Sequence, residues 1–139
     1  MTESVTLLLE NGLERYQAGE KPETLIYTFK EICDRAPKNA AAWSSLAWLY
    51  LLSDKPNSAL KAAQKSVKLD SQAPQSRVNL ALAMLETGTT GVRQQIELVQ
   101  QVITLDLEIR RNIAENIEDG LARKPSWKSL QRLKNWLEL

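Results

Sequence analysis

Histidine is absent from the 139 residues. That removes the commonest general base and metal ligand, so neither an enzyme nor a metal protein is expected, and no cofactor is implied. Cys33 is the single cysteine. No internal disulfide can form, as in proteins of a reducing compartment. Between Ile32 and Asp34 on a predicted helix, Cys33 reads as a small apolar residue of the core and not as a reactive thiol. Glycine and proline number five each, which leaves little loop and no low-complexity linker. Charge of one sign is not in excess: 18 bases face 17 acids for a net +1, without the basic surplus of a nucleic-acid binder. The longest apolar run, Leu46 to Leu52, is seven residues, far short of a membrane span. Met1-Thr2-Glu3-Ser4-Val5 has neither the basic start nor the apolar stretch of a signal peptide, and the expected location is the cytoplasm.

What the chain does have is an internal repeat. A shift of 34 places aligns Tyr16 with Tyr50 and Met84, Leu25 with Ala59, Phe29 with Ala63, and Leu46-Ala47 with Leu80-Ala81. After Gly88-Thr89-Thr90-Gly91 the offset becomes 36, and Val67-Lys68-Leu69-Asp70 matches Ile103-Thr104-Leu105-Asp106. Apolar positions recur at three- and four-residue steps, as in Trp43, Leu46, Ala47 and Tyr50, and no segment alternates with period two. Pro22 and Pro56 suit the first turn of a helix, and Gly19 and Gly88 a left-handed helix end. The spacing predicts helices over 3–18, 22–36, 40–53, 56–69, 74–87, 91–105, 107–121 and 125–138. Ala47 and Ala81, with Ala59 and Ala63, fall where paired helices approach closely. A large side chain there costs roughly 1–3 kcal/mol.

These residues resemble the tetratricopeptide repeat (TPR), whose pattern is W-x2-L-G-x2-Y, then A-x3-F, then P. The unit 40–73 fits best, with Trp43, Leu46, Ala47 in the glycine place, Tyr50 and Ala59. The unit 6–39 keeps Tyr16, Phe29 and Pro37, with Leu9 in the tryptophan place and Gly12-Leu13 where Leu-Gly is expected. The unit 74–109 keeps Leu80 and Ala81 but has Arg77 and Gln95 in the tryptophan and alanine places. The stretch 107–139 has no repeat signature; its stripes Ile109, Ile113, Ala114, Ile117 and Trp127, Leu130, Leu133, Leu137 suit a helical pair that seals the stack. The resemblance implies a single all-α domain over 1–139: a right-handed α-α superhelix of three hairpins plus a C-terminal capping helical pair.

In that family the first helix of each hairpin lines a concave groove that takes an extended or helical ligand. The resemblance therefore implies a protein–protein interaction module, an adaptor or assembly factor for a larger complex. It places Leu7, Glu10, Glu14 and Gln17 in the groove from the first unit. The second supplies Ala41, Ser44, Trp48, Leu51 and Leu52, and the third Gln75, Val78, Leu82 and Leu85. Trp48 lies five residues after Trp43 and roughly 140° round the helix from it, so both indoles cannot serve one packed face. Trp48, Leu51, Leu52, Leu82 and Leu85 are the expected apolar anchors, with Trp48 a binding hot spot whose loss costs little stability. The alternative is that the C-terminal helices fold back and cover them. Some members bind acidic chaperone tails through lysine, arginine and asparagine. Asn11 and Asn79 sit at asparagine-like places, but Glu10, Glu14 and Gln75 stand where that clamp needs lysine or asparagine.

Five bases and no acid lie between Gly120 and Leu137: Arg123, Lys124, Lys128, Arg132 and Lys134, interleaved with Trp127 and Trp136. They read as the solvated face of a capping helix. The runner-up function is a peripheral membrane-associated factor docking through this basic end.

Overall fold

A computed structural model describes residues 4–139, and among them lie eight helices and no strand. They are α1 (Val5–Gln17), α2 (Pro22–Arg35), α3 (Ala40–Leu52), α4 (Pro56–Leu69), α5 (Pro74–Thr87), α6 (Val92–Leu105), α7 (Leu107–Arg123) and α8 (Lys128–Trp136). The expected first helix began at Glu3, which lies outside the described residues. No helix among the described residues is long and apolar enough to cross a membrane.

Local chemistry sets these boundaries. The Ser4 side chain accepts from the Leu7 amide, and Asn39 from the Ala42 amide, each satisfying a free donor of a helix start. Asp106 caps α7 by accepting from the Glu108 and Ile109 amides. Prolines open α2, α4 and α5, where the missing N–H costs nothing. Gly88 ends α5 with φ at 70°, a left-handed value that favours glycine.

The helices form three consecutive hairpins, α1–α2, α3–α4 and α5–α6, followed by α7 and α8. Each packs on its neighbour in sequence, and α3 also packs on α5. Ala47, Ala59, Ala63 and Ala81 are all fully buried, as their small size at close helix contacts predicts. Leu25, Phe29, Ile32 and Leu49 belong to an N-terminal core, and Leu82, Ile96, Leu130 and Leu133 to a C-terminal one. Cys33 is buried in the former.

Two expectations are corrected. The first concerns register. Helix α3 begins at 40 and α5 at 74, a spacing of 34, but α1 begins at 5, a spacing of 35 from α3. The turn between α1 and α2 spans four residues (18–21), and that between α3 and α4 spans three (53–55). The extra residue moves every α1 position by one against the expected alignment. Gly12, not Leu13, therefore takes the close-approach place that Ala47 and Ala81 fill. A Cβ on Gly12 would stand 2.8 Å from the Phe29 ring.

The second correction concerns the C-terminal pair. Helix α7 does not stop at 121 but runs through Gly120 to Arg123. Pro125 stands in the turn before α8, which opens at Lys128. Gly120 serves packing there: a Cβ on it would meet Leu130 Cδ2 at 2.7 Å and Trp48 at 2.8 Å. Helix α7 packs on α6 and α5, and α8 on α7 and α5. The pair thus seals the stack and also turns across the concave face.

Candidate functional site

The concave face is built by α1, α3 and α5, and its C-terminal half is filled from within. Leu51, Leu52, Val78 and Leu82 belong to the same core cluster as Ile113, Ile117, Trp127, Leu130 and Leu133 of the C-terminal segment. Val78 and Leu82 have no exposed surface, and Leu51 and Leu52 are 2% and 6% exposed. The expectation that these side chains stand open in a groove is thereby corrected: α7 and α8 cover them. The stripe of Leu130, Leu133 and Leu137 could bury its apolar surface only against another apolar surface, and the concave leucines supply it. Leu85 is half-buried.

Trp48 is half-buried against the same helices. Its ring lies against Gly120 and 5.4 Å from that of Trp127. Its Nε1 donates to the Tyr16 hydroxyl at 2.8 Å, and that hydroxyl donates in turn to Asp119 of α7. Arg123 completes the arrangement. Its Nε donates to both Asp119 oxygens at 3.1 Å, another guanidinium nitrogen donates to the Tyr16 carbonyl at 2.9 Å, and the guanidinium lies 3.7 Å above the Tyr16 ring. Burial, and then the bond to Asp119, pushes the Tyr16 hydroxyl well above its ordinary value of 10. The next residue, Lys124, donates to the Leu51 carbonyl at 3.1 Å and to Asp54 at 2.8 Å. Trp127 Nε1 donates to Glu86 at 2.7 Å. Helix α7 is therefore clasped to α1 and α3 by charge-assisted bonds as well as by packing. The expectation that Trp48 lies outside the packed structure is corrected as well.

What remains open is a cleft of about 370 Å³ at the N-terminal half of the concave face. Leu13, Phe29, Leu49 and Trp48 give it an apolar wall, and Ala41 and Ala73 leave it roomy. Ser44, Ser45, Gln75 and Asn79 add polar groups from α3 and α5, and Asn116 and Asp119 form the edge contributed by α7. Of the thirteen residues expected in the groove, Ala41, Ser44, Trp48 and Gln75 line this cleft. Val78, Leu51, Leu52 and Leu82 lie in the core beneath the C-terminal helices. Glu14 and Gln17 are exposed on α1 and do not line the cleft, because the one-residue shift brings Leu13 and Tyr16 to that face. The signal was present in the sequence: Gly12 stands one place before the position that the 34-residue spacing assigns to it.

An amide chain crosses the floor. Asn79 Nδ2 donates to the Ser44 carbonyl and hydroxyl, both at 3.0 Å. Gln75 Nε2 donates to Asn79 Oδ1 at 2.9 Å, and Asn116 Nδ2 to Gln75 Oε1 at 2.9 Å. Among the described residues, no lysine or arginine lines the cleft.

The closest helix packing, the three hairpins and the enclosing C-terminal pair can be set beside known structures. The type III secretion translocator chaperone SycD of Yersinia enterocolitica is similar over 99% of this chain and 92% of its own, with a TM-score of 0.65 and 18% identity. The first TPR of Spaghetti (RPAP3), bound to the HSP90 peptide SRMEEVD, is similar over 96% and 90%, with a TM-score of 0.58 and 16% identity. MamA is similar over 97% and 77%, with a TM-score of 0.62 and 18% identity. The chain has a tetratricopeptide-like fold. No protein-family model matches it, and no curated protein matches its sequence. At these identities the likeness is one of fold. The TPR-like helical stack is thus the frame in which the cleft is held.

Proposed function

We propose that the chain is a protein–protein interaction module, an adaptor or assembly factor that holds a short extended segment of its partner in the cleft between α1, α3, α5 and α7. The observation that carries this reading is the cleft itself, an apolar-walled cavity of about 370 Å³ on the concave face that the chain's own helices leave open. Pockets of this size with a few convergent polar groups are the usual form of a ligand site. The fold supports the same reading, since the similar RPAP3 repeat is bound to a peptide.

The groups on the cleft suit holding over chemistry. Among the described residues Asp119 is the only lining carboxylate, and it is tied to Arg123 and Tyr16. An acidic-tail clamp is disfavoured, because Asn79 is spent on Ser44 and Asn11 accepts from Arg15. Docking of the basic end on a membrane is disfavoured by the engagement of Arg123 with Asp119, Lys124 with Asp54 and Lys134 with Glu118.

Selection from phage-displayed random dodecapeptides tests the proposal. The full chain should enrich peptides, and Ser45→Arg, which places a long side chain in the cleft, should lose them with an unchanged urea midpoint. Absence of enrichment, or peptides that bind Ser45→Arg equally well, refutes it.

A further inference from the structure

The chemistry of the cleft specifies more than size. We propose that the segment it takes carries a basic side chain next to its apolar anchor; this rests on the cleft being the docking site. The Ser44 carbonyl can only accept. Asn79 must therefore turn its Nδ2 toward it, which leaves Asn79 Oδ1 to accept from Gln75 Nε2. Gln75 is thereby oriented too, and its Oε1 accepts from Asn116 Nδ2. The polarity set at Ser44 is passed from amide to amide, and the chain ends at the cleft edge on Asn116 Oδ1, an acceptor that no donor among the described residues engages.

The surrounding charge has the same sense. Asp119, one turn after Asn116 on the same edge of α7, lines the cleft and keeps 39% of its side chain exposed. Its two oxygens offer about four acceptor sites, more than Tyr16 and Arg123 use. Glu10 precedes Leu13 by three residues on α1, and Glu115 adjoins Asn116; both are exposed. The cation nearest in sequence to the lining residues of α7, Arg123, is consumed by Asp119 and by the carbonyl and ring of Tyr16. The cleft thus offers acceptors beside an apolar wall, and among the described residues no basic side chain lines it. An arginine or lysine supplies donors and charge to Asn116 and Asp119, while a neighbouring aliphatic side chain fills the space between Leu13, Leu49 and Trp48. A carboxylate at the same place faces Asp119 and Asn116 Oδ1 and finds only neutral donors, the Ser45 hydroxyl and the second N–H of Gln75 and Asn116.

The dodecapeptides that bind the wild type and not Ser45→Arg decide the matter. They should carry arginine or lysine beside an apolar residue. In synthetic copies followed by fluorescence anisotropy, changing that base to glutamate should weaken binding at least about tenfold, the scale of one lost charge-assisted hydrogen bond. Asn116→Lys should weaken the basic peptides by a similar factor with the urea midpoint unchanged, and raised salt should weaken them as well. Selected peptides that are acidic or uncharged, or copies that tolerate glutamate, overturn this inference while the docking site stands. If no peptide is enriched, both fall together.

Discussion

Replacing Trp48 by alanine should strongly destabilise the protein, the reverse of what its position on a groove helix suggests. The indole lies between α3 and the C-terminal pair, touching Gly120 and stacking at a tilt on Trp127. Emptying a packed aromatic site costs roughly 3–5 kcal/mol. Loss of the bond from Nε1 to the Tyr16 hydroxyl adds about 1 kcal/mol, and the part of the ring still in contact with the cleft reduces the total. A net loss of about 3–4 kcal/mol follows from these magnitudes. At a urea dependence of about 2 kcal/mol per molar for a chain of this size, the unfolding midpoint should fall by roughly 1.5–2 M. Circular dichroism should follow the transition, because the substitution removes one of the fluorophores. A midpoint within about 0.3 M of the wild type, on the same scale, would refute the enclosure of Trp48 by α7 and α8.

Gly120→Ala should be destabilising by about 1–2 kcal/mol in the same assay, since overpacking against Leu130 and Trp48 outweighs the roughly 1 kcal/mol gained in helix propensity; a stabilised variant contradicts that packing. Tyr16→Phe should cost about 1–3 kcal/mol near neutral pH by leaving Asp119 and the Trp48 N–H short of a partner. The raised Tyr16 hydroxyl favours its neutral form in the fold, so its contribution is complete below about pH 10 and is lost as pH rises beyond it. The wild type should accordingly lose stability more steeply above that pH than Tyr16→Phe, as read from thermal midpoints; parallel curves count against the clasp. Cys33 is buried, and burial pushes its thiol up to about 12. It should resist a disulfide reagent at pH 8 until urea unfolds the chain, and rapid labelling of the native protein contradicts its placement in the core.

Helix positions and the small residues at their contacts were legible because each is a local property. Proline at a first turn, a left-handed glycine and the three-four apolar step act over a few residues. The register of α1 was legible only in part. A single residue added to the turn at 18–21 leaves every helix intact while rotating α1 by about 100° relative to the expected alignment, so Leu13 and Tyr16 replace Glu14 and Gln17 on the concave side. The occupancy of the groove was not legible, since Leu51, Leu52 and Leu82 are apolar whether a partner or the chain itself covers them. The deciding contacts are long-range: Tyr16 meets Asp119 and Arg123 more than 100 residues away, and no local pattern encodes such a pairing. Gly120 carried a faint signal, as a glycine inside a helical stripe that a close neighbour requires.

The central claim is that α7 and α8 permanently occupy the C-terminal half of the concave face and leave the cleft beside it for a partner. A nitrogen–proton correlation spectrum of the labelled full chain, titrated with a peptide selected as above, tests it most directly. The amides of Leu13, Ala41, Ser45, Gln75 and Asn116 should shift, while those of Leu82, Leu130 and Leu133 stay in place. Shifts or broadening throughout α7 and α8, together with Leu82, would mean that the helices leave the groove when the partner enters, and would contradict the account.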